Sequence, residues 1–144
     1  MPSSTLSSSR QLFKSEQEYK RKLVALLQER GAHTQLHEDK DMNYVPDLSC
    51  AINGCDWWIE IKYCKKVPPK LSSIEHYTKG QRDWLVKRGQ AGGGRCYLLV
   101  GLPQFELLID YSQLLKLHDR SIDYVQTHAM WFPDLSSVVR HIVW

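Results

Sequence analysis

The stretch YVPDLSCAINGCDWWIEIKYCKK, residues 44–66, sets an aspartate, a glutamate and a lysine among apolar and aromatic residues. YVPDLSCAI reads as one strand, Asn53-Gly54 as a two-residue hairpin turn, and CDWWIEIKYC as the returning strand. Side chains alternate across a strand, so Trp57, Ile59, Ile61 and Tyr63 share one face while Trp58, Glu60 and Lys62 share the other. Glu60 and Lys62 then project side by side, about 7 Å apart along the strand, and an antiparallel hairpin lays Asp47 next to them. Charges placed this way are costly unless paired or bound to a metal. An ordinary ion pair between Glu60 and Lys62 on a solvated strand contributes about 0–1 kcal/mol and leaves Asp47 unexplained.

Upstream, residues 12–30 have helical period, with Leu12, Tyr19, Leu23, Leu26 and Leu27 on one face and Lys14, Lys20, Arg21 and Lys22 elsewhere. Gly31 supplies the stop. Glu16 falls within the apolar stripe, whereas Glu18 points away with Lys22. The polar run 33–43 reads as loop or edge strand. Downstream, KKVPPKLSS is a proline-fixed loop leading to a helix around TKGQRDWLVKRG, on which Gln81, Trp84, Leu85 and Arg88 follow helical spacing. After the glycines at 92–94, RCYLLVG and FELLID read as buried strands, YSQLLKL as a short helix, and LSSVVRHIVW as a closing helix capped by Asp134. This order implies an α/β (α+β) sandwich with a small mixed sheet and helices on its faces.

With 144 residues the chain suits one domain, and no apolar run is long enough to cross a bilayer. MPSSTLSSSR, residues 1–10, reads as a disordered leader, leaving 11–144 as the domain. Cys50, Cys55, Cys64 and Cys96 follow no disulfide framework and offer neither a C-x2-C pair nor matched histidines for zinc, so a reducing cytoplasm is the expected setting. The net charge of +3 is unevenly spread. Residues 62–95 carry nine Lys/Arg against Glu75 and Asp83, nine less two giving +7, and leave −4 for the rest. Such segregation marks a polyanion-binding face, on which Lys65, Lys66, Lys79, Arg82, Lys87 and Arg88 would contact phosphates without reading sequence.

Cleaving a phosphodiester needs an activated water, a neutralised phosphate and a stabilised leaving oxygen, all of which divalent ions supply. Mg2+ takes oxygen ligands and only one or two protein carboxylates. Asp47 and Glu60 meet that demand, with the Ile61 backbone carbonyl between them and Mn2+ able to substitute. Lys62 on the same face would orient the water and screen developing charge.

Pro46-Asp47, twelve residues, then Glu60-Ile61-Lys62 resembles the PD-(D/E)xK nuclease superfamily, over roughly residues 10–110. The resemblance implies a restriction-endonuclease-like core at about 11–110; residues 111–144 lie outside it and read as a helical C-terminal extension. It also implies that Glu16 is the first-helix carboxylate contacting metal directly or through water. Gln81-Arg82-Asp83-Trp84-Leu85 is similar to the QxxxL-like element of several branches, which makes Gln81 a site residue. Small size and the basic helix look most like Holliday junction resolvases and virus-type replication-repair nucleases. The implied activity is Mg2+-dependent endonucleolytic cleavage of branched DNA, by a homodimer, in DNA recombination or repair. Alternatives are a restriction- or exonuclease-like member acting on duplex ends or single strands, and a non-catalytic nucleic-acid-binding module of the same fold. The size is also compatible with a phage or mobile-element protein in a bacterial host.

A second Pro-Asp-Leu, at 133–135, is followed by no ExK and reads as a helix cap. The six histidines are scattered, and His76, close to the basic helix, reads as exposed or phosphate-facing. Trp57 belongs to the core, and Trp58 to the active face beside the helix. In the tail, Trp131, Phe132, Val138, Val139, Ile142 and Trp144 either make an interface between copies or close the chain's own core.

Overall fold

The computed structural model describes residues 12–38, 44–92 and 95–144. The leader 1–10, the end of the polar run at 39–43 and Gly93 and Gly94 lie outside the described residues. Helix α1 (Glu16–Glu29) begins where Ser15 accepts the Glu18 N–H on its hydroxyl at 3.1 Å, with Glu16 and Glu18 against the positive end of the helix. Leu12, expected on the helix, precedes this cap and is exposed. Tyr19, Leu23 and Leu27 form the buried stripe, and Gly31 ends the helix at φ 90°.

Residues 33–36 resolve the choice between loop and strand: β1 (His33–Leu36) is the edge of the sheet, antiparallel to β2 (Leu48–Ile52). Asn53 and Gly54, both left-handed at φ 54° and 76°, turn β2 into β3 (Cys55–Tyr63) as a type I′ hairpin requires. The register sets Leu48 opposite Ile59 and Cys50 opposite Trp57. From β3 the chain passes a 3-10 turn (Leu71–Ser73) and helix α2 (Lys79–Gln90), then returns as β4 (Arg95–Gly101), parallel to β3. β5 (Glu106–Asp110) follows antiparallel, then α3 (Tyr111–Leu117), α4 (Ile122–His128), β6 (Met130–Phe132) and α5 (Leu135–Val143). The strands lie in chain order across one mixed sheet, β1 to β6.

Residues 111–144 therefore contribute more than helices, because β6 extends the sheet beyond β5. A three-residue edge strand leaves no period to read, and Met130-Trp131-Phe132 gives none.

Two apolar layers cover the sheet. One joins Tyr19, Leu23 and Leu27 of α1, Leu135, Val138, Val139 and Ile142 around α5, and Trp57, Ile59 and Ile61 of β3. The other joins Leu85 of α2, Leu114 and Leu117 of α3, Ile122 and Val125 of α4, and Leu98, Val100, Leu107 and Ile109 of β4 and β5. Each fully buried Leu, Ile or Val contributes roughly 1.5–3 kcal/mol. Val138, Val139 and Ile142 thus close the chain's own core, while Trp131 and Trp144 are exposed. Gly101 leaves room for the hydroxyl end of the Tyr19 ring at the end of β4, since a Cβ there would stand 2.5 Å from the ring.

Candidate active site

Strand alternation puts Trp57, Ile59 and Ile61 in the layer beneath α1 and turns Glu60 and Lys62 to the side of α2. Asp47 directly precedes the Leu48–Ile59 pair, which brings it alongside Glu60. All three are buried: Asp47 is 3 %, Glu60 1 % and Lys62 4 % exposed. Charges this deep require close partners. Asp47 Oδ2 accepts the Ile61 N–H at 2.9 Å, and its Oδ1 accepts from Lys20 Nζ at 3.1 Å. Lys62 Nζ stands 3.3 Å from Glu60 Oε2 and donates to the His76 carbonyl at 2.8 Å.

Glu16 reaches the same end of the hairpin from α1. Its Oε1 accepts the Tyr63 N–H at 3.1 Å, and its Oε2 is 3.7 Å from Lys20 Nζ. The Lys20 ammonium thus bridges Glu16 and Asp47. Helical periodicity assigns Lys20 to solvent, yet its side chain is only 15 % exposed, because a four-carbon stem carries the charge across the turn to the strand ends. The other contributor with no side-chain signal in the sequence is the His76 backbone. His76 sits at φ 64°, a conformation non-glycine residues seldom adopt, with its side chain exposed and its carbonyl on Lys62.

A cleft of about 450 Å³ opens beside Glu16, lined among others by Cys64, Lys65, Lys66, Ser73 and Glu75. Burial pushes the Cys64 thiol up to about 11, with Glu16 and Glu75 acting in the same direction and Lys62 against them. The thiol is therefore protonated at neutral pH and acts as a small neutral wall. Tyr77, also buried, has its phenol raised by burial, with the Arg82 guanidinium opposing and Glu60 reinforcing the shift.

The remaining predicted residues lie on α2 and in the loop that follows β3. Gln81 is part of a capping box: its N–H donates to Thr78 Oγ1 at 3.2 Å, and its side-chain oxygen accepts the Thr78 N–H at 3.0 Å. Lys79 pairs with Asp83, and Arg82 bonds His118 of α3's C-cap at 2.7 Å. The Arg88 guanidinium lies 5.0 Å over Trp58 and 5.5 Å over Trp84. Trp58 is half-buried between Trp84 and the His37 ring. Lys65, Lys66 and Lys87 are exposed. The four cysteines are free thiols, and among the described residues no helix is long and apolar enough to cross a membrane.

The donors at the strand ends are hard carboxylate oxygens, and in an extended strand the Ile61 carbonyl points to the same neighbour as its N–H. Among the described residues no three acidic, histidine or cysteine side chains converge closely enough to enclose a metal. Mg2+ asks for only one or two carboxylates, and Asp47 and Glu60 are both buried beside the Ile61 backbone. The set fits a hard divalent ion.

A mixed sheet between two helical layers, with these charges at the end of its second hairpin strand, is the restriction-endonuclease-like fold that the PD-(D/E)xK resemblance implies. It is similar to the solved structure of Archaeoglobus fulgidus Hjc, a Holliday junction resolvase from an archaeal hyperthermophile. The match has a TM-score of 0.61 and 16 % identity, and it covers 85 % of this chain and 98 % of that one. No family model and no curated protein sequence matches the chain.

Proposed function

We propose that the protein is a divalent-metal-dependent DNA endonuclease that hydrolyses phosphodiester bonds in branched DNA, such as a four-way junction. The observation that carries this is the burial of Asp47, Glu60 and Lys62 at one spot, next to Glu16, in a resolvase-like fold. Groups so costly to bury are retained where chemistry uses them.

Asp47, Glu60 and the Ile61 carbonyl would hold Mg2+ or Mn2+, with Glu16 reaching it directly or through water. The ion would supply an activated water and charge neutralisation on the phosphate. Lys62, held between Glu60 and the His76 carbonyl, has one N–H left, which would orient the attacking water or screen a non-bridging phosphate oxygen. The Tyr63 N–H fixes Glu16, and the Ile61 N–H fixes Asp47, so both carboxylates enter the reaction already oriented. Gln81 is engaged in the capping box with Thr78 and serves the start of α2.

Lys65 and Lys66 flank the cleft beside Glu16, and Lys79, Arg82, Lys87 and Arg88 extend the cationic surface along α2. These contacts favour any phosphate backbone, so selectivity comes from DNA shape. Two cuts across a junction call for two copies, and a homodimer measured by sedimentation would meet that need. Free thiols suit a reducing, cytoplasmic compartment.

The test is cleavage of labelled junction, flap, single-strand and duplex DNA at fixed salt. Wild type should cut the junction preferentially, and Lys62→Met should lose activity by about 10²–10⁴-fold with DNA binding retained. Preferred cutting of ends or single strands supports the exonuclease-like reading instead. Full cleavage by Lys62→Met removes the mechanism.

A further inference from the structure

Lys20 lies against two of the carboxylates assigned above to the cation, Glu16 and Asp47. Glu16 and Lys20 are one turn apart on α1, so the helix itself carries the ammonium to the end of the hairpin. There Lys20 Nζ lies 3.1 Å from Asp47 Oδ1 and 3.7 Å from Glu16 Oε2. Asp47 Oδ2 accepts the Ile61 N–H at 2.9 Å. A divalent ion approaching Asp47 Oδ1 would meet the Lys20 ammonium there.

We propose that Lys20 is a built-in competitor for the metal position, neutralising Asp47 and Glu16 in the metal-free protein and withdrawing when a divalent cation arrives. The inference rests on the nuclease reading above. Lysine suits the task because its ammonium is a point charge on a flexible stem, able to leave without backbone movement. Asp47 is 3 % exposed, and a buried carboxylate that loses one of its charge partners costs stability. Lys20 removes that cost before metal binds, and in exchange it weakens metal affinity.

The test uses Mn2+ alone, with calorimetric binding and thermal unfolding in chelator and in Mn2+, for wild type, Lys20→Met and Lys20→Arg. Lys20→Met should bind Mn2+ about fivefold more tightly. It should melt below wild type in chelator and gain more from Mn2+ than wild type does. Lys20→Arg keeps the charge and should stay near wild type. Equal or weaker binding by Lys20→Met, with wild-type binding intact, overturns the competitor role and leaves the nuclease reading standing. If neither protein binds Mn2+, both fall. Should Lys20→Met fail to fold in chelator, Lys20→Gln is measured in its place against the same two outcomes.

Discussion

The tripeptide Pro-Asp-Leu occurs twice, at 46–48 and 133–135, and the two copies differ in what surrounds the carboxylate. Both leucines are buried in the layer beneath α1 and α5. Asp134 faces solvent and caps α5, accepting the Ser137 N–H at 2.9 Å and the Ser137 hydroxyl at 2.8 Å. Asp47 is buried and shared between a strand N–H of β3 and an ammonium from α1. The first arrangement is local, closed within three residues, and needs nothing else from the fold. The second draws on α1 and on both strands of the hairpin, so only the assembled domain can make it. The comparison teaches that long-range convergence of costly groups, rather than a short motif, separates the carboxylate proposed to react from the one that caps a helix.

The largest expected effect falls on the assembled site. Glu60→Gln should lower junction cleavage by about 10²–10⁴-fold, read as single-turnover rates in Mg2+. An unchanged rate would erase the distinction between the two regions.

Next comes the support beneath that site. Tyr19 packs on Gly101 and against Tyr63, the residue whose N–H holds Glu16. Gly101→Ala places a methyl against that ring and should cost about 1–3 kcal/mol in denaturant unfolding. A neutral result would mean that the ring shifts freely and that Glu16 is less firmly oriented than described.

The solitary cap should be milder. Asp134→Ala should cost about 1 kcal/mol by the same measurement and leave cleavage at the wild-type rate. A fall in activity beyond what the stability loss explains would bring the two copies closer together in role.

The smallest effect is a pH dependence away from the carboxylates. Burial first, then the Arg82 guanidinium, holds His118 below its ordinary value of 6.5, with Asp119 opposing. The unfolded chain takes up the proton first, so this contribution is complete above about 6.5 and is lost as pH falls toward the folded value. His118→Asn should therefore flatten part of the decline in Tm on acidification. An identical pH profile in both proteins would show that the ring titrates normally.

The hairpin and its charges were legible because a period of two and an Asn-Gly turn determine both register and face. The helix from Glu16 was legible for similar reasons, except at its start, where the Ser15 cap overrides the apolar spacing that includes Leu12. Lys20 was not legible, because periodicity sorts residues by the direction of Cβ and says nothing about where a long stem ends. The His76 carbonyl has no sequence signal at all, since any residue supplies one. β6 and α4 are short, and their placement depends on β5 already being present to pair with or pack against.

Junction cleavage in Mg2+ by Asp47→Asn and Asp134→Asn, measured side by side with DNA binding and Tm as controls, tests the central claim most directly. Asp47→Asn should be inactive while still binding DNA, and Asp134→Asn should cut like wild type. Equal activity in the two variants would contradict the assignment of chemistry to the buried cluster.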